Sequence, residues 1–154
     1  MKKFILVGLF IIFAFIFAAE TNAQSVSLSG SIATVKRGGT AKGSVVMSIP
    51  GGLHVNSSRP GSEYAIPTSV RLTGTGFKFS AVTYPRGRNR KFEFSENSIN
   101  VYEGRVTFNF NVIVPANFRG NTIRVRVTVR YQACTDEVCY PPTSKTINLT
   151  AAVK

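Results

Sequence analysis

Residues 123–131 read Ile123-Arg124-Val125-Arg126-Val127-Thr128-Val129-Arg130-Tyr131. The odd positions are apolar and the even ones are arginine or threonine, a period of two that places one face in a core and the other in water. A slip of one residue would drive the arginines into that core, so the pattern also fixes the strand's register. The arginines are expected to form a solvated face, with a ligand-binding row as the alternative. Working outward, alternating or β-branched and aromatic runs recur with no helical period. They predict strands at Ser25 to Val35, Gly43 to Ile49, Ser69 to Thr73, Lys78 to Tyr84, Arg105 to Val114, Thr122 to Tyr131 and Ser144 to Ala152. Arg37-Gly38-Gly39, Pro50-Gly51-Gly52, Arg59-Pro60-Gly61 and Asn117 to Asn121 carry turn chemistry between them. Seven or more short strands in one domain predict an all-β sandwich of two antiparallel sheets.

The chain opens on Met1-Lys2-Lys3, continues as an apolar run from Phe4 to Ala19, and places Thr21 and Ala23 three residues and one residue before the Ala23/Gln24 bond. A basic start, a short apolar stretch and small residues at those two positions predict a signal peptide over residues 1–23. An uncleaved anchor is the alternative. The remaining residues, 24–154, make one domain with one core. No cysteine precedes Cys134, so no lipid acceptor stands at the cleavage site, and a soluble exported product is expected. The formal charge is +12; losing two lysines and one glutamate with the signal brings it to +11. That excess invites a polyanion partner, but no groove-entering helix or nucleic-acid motif accompanies it, and a basic exported domain kept soluble by its charge is the expected reading.

Both cysteines lie in Tyr131-Gln132-Ala133-Cys134-Thr135-Asp136-Glu137-Val138-Cys139-Tyr140-Pro141-Pro142. With four residues between them they can close a disulfide across a tight turn, and an oxidising compartment favours the bond. So short a loop stabilises weakly, about 2 kcal/mol on chain entropy, which suits a pair that opens and closes. A structural staple at a hairpin end has the same spacing. Exchange requires a thiolate: Asp136 and Glu137 disfavour one, whereas Arg130 and the basic field favour one. The single histidine, His54, is distant in sequence, so no dedicated base is expected. Pro141-Pro142 stiffens the loop's exit.

The segment Tyr131-Gln132-Ala133-Cys134, its acidic loop and Cys139-Tyr140-Pro141-Pro142 resemble the active-site stretch of the amino-terminal domain of the thiol:disulfide interchange protein DsbD. Leu53-His54-Val55-Asn56, Ile66-Pro67-Thr68 and Val101-Tyr102-Glu103-Gly104 are similar to further landmarks of that family, so the resemblance covers most of residues 26–152. It implies an immunoglobulin-like sandwich that relays reducing equivalents in the periplasm, in a family tied to cytochrome c biogenesis. Electrons would pass from a thioredoxin-like donor, fed by a membrane thiol reductase, to oxidised exported proteins. Carried over by position, Cys139 would form mixed disulfides and Cys134 would resolve them. A cap loop with an aromatic residue would shield the pair; Glu93-Phe94, or else Phe92, stands in its place, and a core residue of a strand Lys91 to Ser95 is the other reading of Phe94. Tyr140 would pack over the sulfur or meet the partner. The loop departs from the family's best-known members, having four residues between the cysteines where they have five. The sequence ends at Lys154 without a following thioredoxin-like domain, so the reductase is expected on another chain. The resemblance implies no cofactor.

Two other classes remain. One is a non-catalytic exported binding or assembly module with a structural disulfide and a basic surface. The other is a copper(I) site built from Cys134 and Cys139 with His54 or Met47, since soft sulfur ligands suit that ion.

Overall fold

The computed structural model describes residues 25–154, so the expected signal peptide lies outside the described residues. The described chain contains strands and turns and no helix. The strands are β1 (Ser27–Ile32), β2 (Thr40–Ser48), β3 (His54–Asn56), β4 (Ser69–Thr73), β5 (Lys78–Phe79), β6 (Arg88–Arg90), β7 (Ile99–Tyr102), β8 (Arg105–Ile113), β9 (Thr122–Tyr131), β10 (Ala133–Cys134) and β11 (Thr143–Ala152). Hydrogen bonding sorts them into three antiparallel sheets, ordered β1-β2-β8-β5, β11-β9-β4 and β10-β3-β7-β6.

The first two sheets close on a shared core. On β9, Ile123, Val125, Val127 and Val129 are fully buried, and Tyr131 is nearly so. They meet Val45, Met47, Phe108, Phe110 and Val112 from β2 and β8. The opposite face of β9 holds Arg124, Arg126 and Arg130 in solvent, with Arg71 of β4 in the same exposed layer, opposite Thr128. The alternation thus sets strand, face and register together. Val35 bridges Val153 across the edge, where Lys154 N donates to Val35 O at 2.9 Å and ties the carboxyl-terminal end to the first loop.

Two expected strands are shorter than their sequence pattern. The first ends at Ile32. The run Lys78 to Tyr84 keeps only Lys78–Phe79 and an isolated bridge at Thr83. Ser80 N donates to Asn111 O and Thr83 N to Asn109 O, so three steps on one chain face two on the other, as in a bulge. Ser80 Oγ also accepts from Asn111 N at 2.9 Å, replacing a backbone partner with a side chain.

The third sheet is additional to the two expected, and its four strands are two to four residues long. Runs that short cannot display a period. β3 is buried throughout and β7 nearly throughout, so neither alternates in sequence. This sheet carries Cys134, and Cys139 bridges to it.

Candidate functional site

β9 and β11 are neighbours, with Tyr131 opposite Thr143. Residues 132–142 are therefore the tip of one long hairpin, bent across so that β10 pairs with β3 of the small sheet. Within the tip, Thr135 N donates to Val138 O at 2.8 Å and Tyr140 N to Ala133 O at 2.9 Å. These bonds flank Cys134 and Cys139 and make them a non-hydrogen-bonded cross-strand pair, the arrangement in which opposed side chains approach most closely. Their Cα atoms are 4.0 Å apart and the sulfurs are joined as a disulfide. Thr135 Oγ1 accepts from Glu137 N and Val138 N, so the threonine hydroxyl organises the turn.

Gln132 holds this tip in place. Its Oε1 accepts from Asn56 Nδ2 at 2.9 Å and from Ile66 N at 3.2 Å, while its Nε2 donates to Tyr140 O at 3.2 Å. Thr68 Oγ1 donates to Asn56 O at 2.6 Å. Tyr102 Oη accepts from Ser58 N and hydrogen-bonds Ser58 Oγ and Pro85 O. Gly104, at φ 63°, turns β7 into β8 in the left-handed region where glycine carries no steric cost. The landmark segments distant in sequence are thus one scaffold around the disulfide.

The two cysteines differ in access. Cys134 is fully buried, whereas Cys139 is an exposed residue lining a cleft of about 240 Å³ with Phe94, Tyr64 and Ile99. Phe94 is 43% exposed. It lies in a turn rather than in a strand Lys91 to Ser95, because Ser95 N bonds back to Phe92 O at 3.1 Å. Phe92 is buried and stacks on Phe94 with ring centroids 5.2 Å apart. Of Phe92 and Phe94, the one that lines the Cys139 cleft is accordingly Phe94, and Phe92 is its support. Tyr140 lines a separate hollow of about 560 Å³ with Tyr131, Ala133, Pro141 and Leu53. Five large apolar side chains are exposed among the described residues, and four of them, Tyr64, Phe94, Val138 and Tyr140, belong to the cysteine loop or the hollows beside it.

Two expectations about the surroundings need correction. The cation at the loop is Arg90, whose guanidinium bonds Glu103 at 2.5 Å and approaches Asp136 at 3.9 Å; Arg130 points outward from β9, opposite Ser69 and Ser144. A histidine does adjoin the pair, because β3 places His54 directly opposite Cys134. His54 is 2% exposed and stacks on Phe92 at 4.2 Å. Burial pushes its pKa below the ordinary 6.5; Asp136 and Glu103 act to raise it, and Arg90 acts with burial. Nothing in the sequence spacing announces this neighbour, 80 residues from Cys134 in the chain.

Met47 is fully buried in the main core. Among the described residues no group of three or more His, Cys, Asp or Glu residues is placed to hold a metal ion. No helix of the described residues is long and apolar enough to cross a membrane.

Fold and site together define an antiparallel β-sandwich domain with an accessible short-loop disulfide at one end. Residues 24–151 match the family described as thiol:disulfide interchange protein DsbD, N-terminal, and the chain belongs to that family, one of thiol-disulfide exchange. Among solved structures it is similar to the N-terminal periplasmic domain of ScsB from Proteus mirabilis, at 15% identity and a TM-score of 0.55, which shows the shared immunoglobulin-like fold. That match covers 82% of this chain and 47% of the ScsB chain, so the protein spans about half of that structure's length. The GAE domain of yeast GGA1 matches at 11% identity and a TM-score of 0.46, over 84% of this chain and 95% of that one. No curated protein sequence matches the chain.

Proposed function

We propose that this domain relays reducing equivalents through the Cys134/Cys139 pair in the periplasm, after export directed by residues 1–23. A thioredoxin-like protein, itself reduced by a membrane thiol reductase on another chain, would deliver electrons, and oxidised exported proteins would receive them. Cys139 is the sulfur that exchanges with partners and Cys134 the one that resolves the mixed disulfide.

The carrying observation is the unequal access of the two cysteines inside an apolar rim. Cys134 is fully buried, and Cys139 is exposed and lines a cleft together with Phe94. Exposed aromatic residues around a reactive atom suit a transient protein contact better than solvent. In the electron-donating direction, the Cys139 thiolate attacks a partner disulfide and releases one partner sulfur as a thiolate. The Cys134 thiolate then attacks the Cys139 sulfur, forming the internal bond and releasing the second partner sulfur. The partner gains two electrons and the pair loses two.

The test is the equilibrium reduction potential of the pair against glutathione, with thiol trapping. A value between roughly −120 and −270 mV supports the relay, and one below about −300 mV marks a structural staple and favours a binding module instead. Cys134→Ser is expected to accumulate partners as mixed disulfides at Cys139, and Cys139→Ser to capture none.

A further inference from the structure

We propose that His54 is the base that takes the proton from the Cys134 thiol when that sulfur closes the disulfide. This deepens the exchange reading above and rests on it.

Three observations converge. His54 and Cys134 are directly opposed in the β3–β10 pair, so their side chains leave the same face with Cβ atoms about 5 Å apart, within an imidazole's reach of a thiol. Cys139 bridges Cys134 on its other side, and the three residues form one row across neighbouring backbone segments. Finally, Nε2 of His54 is buried and finds no hydrogen-bond partner among the described residues while the disulfide is closed. A buried polar atom left in that state costs about 1–3 kcal/mol. Opening the disulfide turns Cys134, the residue paired with His54, into an S–H donor, so the reduced form can supply the partner that the oxidised form lacks.

The chemistry requires such a group. Cys134 is fully buried, and apolar burial holds a thiol protonated. In the mixed disulfide it must nevertheless attack as a thiolate. Transfer of its proton to Nε2 gives a thiolate beside an imidazolium; the thiolate's electron pair forms the bond to Cys139 Sγ, and the partner sulfur departs with the electrons of the bond that breaks. In the reverse direction the imidazolium returns the proton to Cys134 as it leaves. The charged groups facing His54 fit both states. Glu103 and Asp136 support the imidazolium, while burial and Arg90 keep the resting ring neutral and able to accept. Arg90 bonds Glu103 and holds that carboxylate, while the exposed Asp136 lies only within its electrostatic reach. The ring is held by its stack on Phe92, which continues to Phe94, a lining residue of the Cys139 cleft.

The experiment uses the reduced chain and Ellman's reagent, which releases one thionitrobenzoate when Cys139 attacks it and a second when Cys134 resolves the mixed disulfide. In His54→Phe, which retains the aromatic stack, the first release should stay within about threefold of wild type and the second should slow roughly a hundredfold near neutral pH, the scale of a positioned base. The wild-type second step should lose rate as pH falls through the titration of the imidazole, and the variant should follow the thiol alone. His54→Gln keeps a hydrogen-bonding side chain that cannot take the proton; it should be as slow as His54→Phe, and it serves where that variant fails to fold. A second step unchanged in either variant, or restored by glutamine, overturns the proposal while leaving exchange at Cys139 intact. Absence of the first release from wild type would instead refute the exchange reading, and this inference with it.

Discussion

Reducing the disulfide should weaken the fold by a small and calculable amount. The ring closed by Cys134 and Cys139 has a sequence separation of 5; for a loop of about six residues the chain-entropy relation gives roughly 2 kcal/mol at 25 °C. The remaining hairpin tip does not depend on the sulfurs. Thr135 N to Val138 O, Tyr140 N to Ala133 O and the three bonds of Gln132 hold it. The core of β9 lies wholly outside the ring. For a domain of this size about 2 kcal/mol lowers the melting temperature by about 6–12 °C. Urea and thermal unfolding followed by circular dichroism, with and without dithiothreitol, read both quantities. A reduced form that keeps its β signal and loses about 2 kcal/mol fits a pair that cycles. A loss above about 5 kcal/mol, or collapse of the fold at 25 °C, refutes the reasoning, because the disulfide would then be holding elements that the hydrogen bonds do not.

Other perturbations separate the parts of the site. Phe94→Ala should cost below about 1 kcal/mol in stability, as expected for a half-exposed side chain, while speeding oxidation of the reduced pair by glutathione disulfide; an unchanged rate would deny Phe94 a shielding role. Phe92→Ala removes a buried ring and should cost about 3–5 kcal/mol in urea unfolding. Gln132→Ala leaves Asn56 Nδ2 and Ile66 N without their acceptor and should cost about 1–3 kcal/mol, with faster hydrogen exchange at Tyr140 and Ile66 as the local readout. His54 binds its proton less tightly folded than unfolded, so its contribution to stability is complete above about 6.5 and is lost as pH falls below that value toward the lowered folded pKa. His54→Phe should flatten that part of the stability profile, and an identical profile in the variant would assign the acid sensitivity elsewhere.

Much of this protein was legible in its sequence. The alternation of Ile123 to Tyr131 determined an antiparallel strand, its buried face and its register, because arginine cannot be exchanged into a core without a large desolvation cost. The spacing of Cys134 and Cys139 determined that the pair could join, and the resemblance of the flanking residues pointed to the family. The small sheet stayed hidden: β3, β6, β7 and β10 are too short for a period to show, and β3 is buried throughout and β7 nearly so. Tertiary structure showed Cys139 exposed with Phe94 lining its cleft, residues the resemblance had already singled out, and it alone decided that Arg90 rather than Arg130 is the cation beside the loop. It alone brought His54 to Cys134. Local pattern records what each residue does with its own strand, whereas a site assembled by pairing a hairpin tip with a distant three-residue strand exists only once non-local hydrogen bonds have formed.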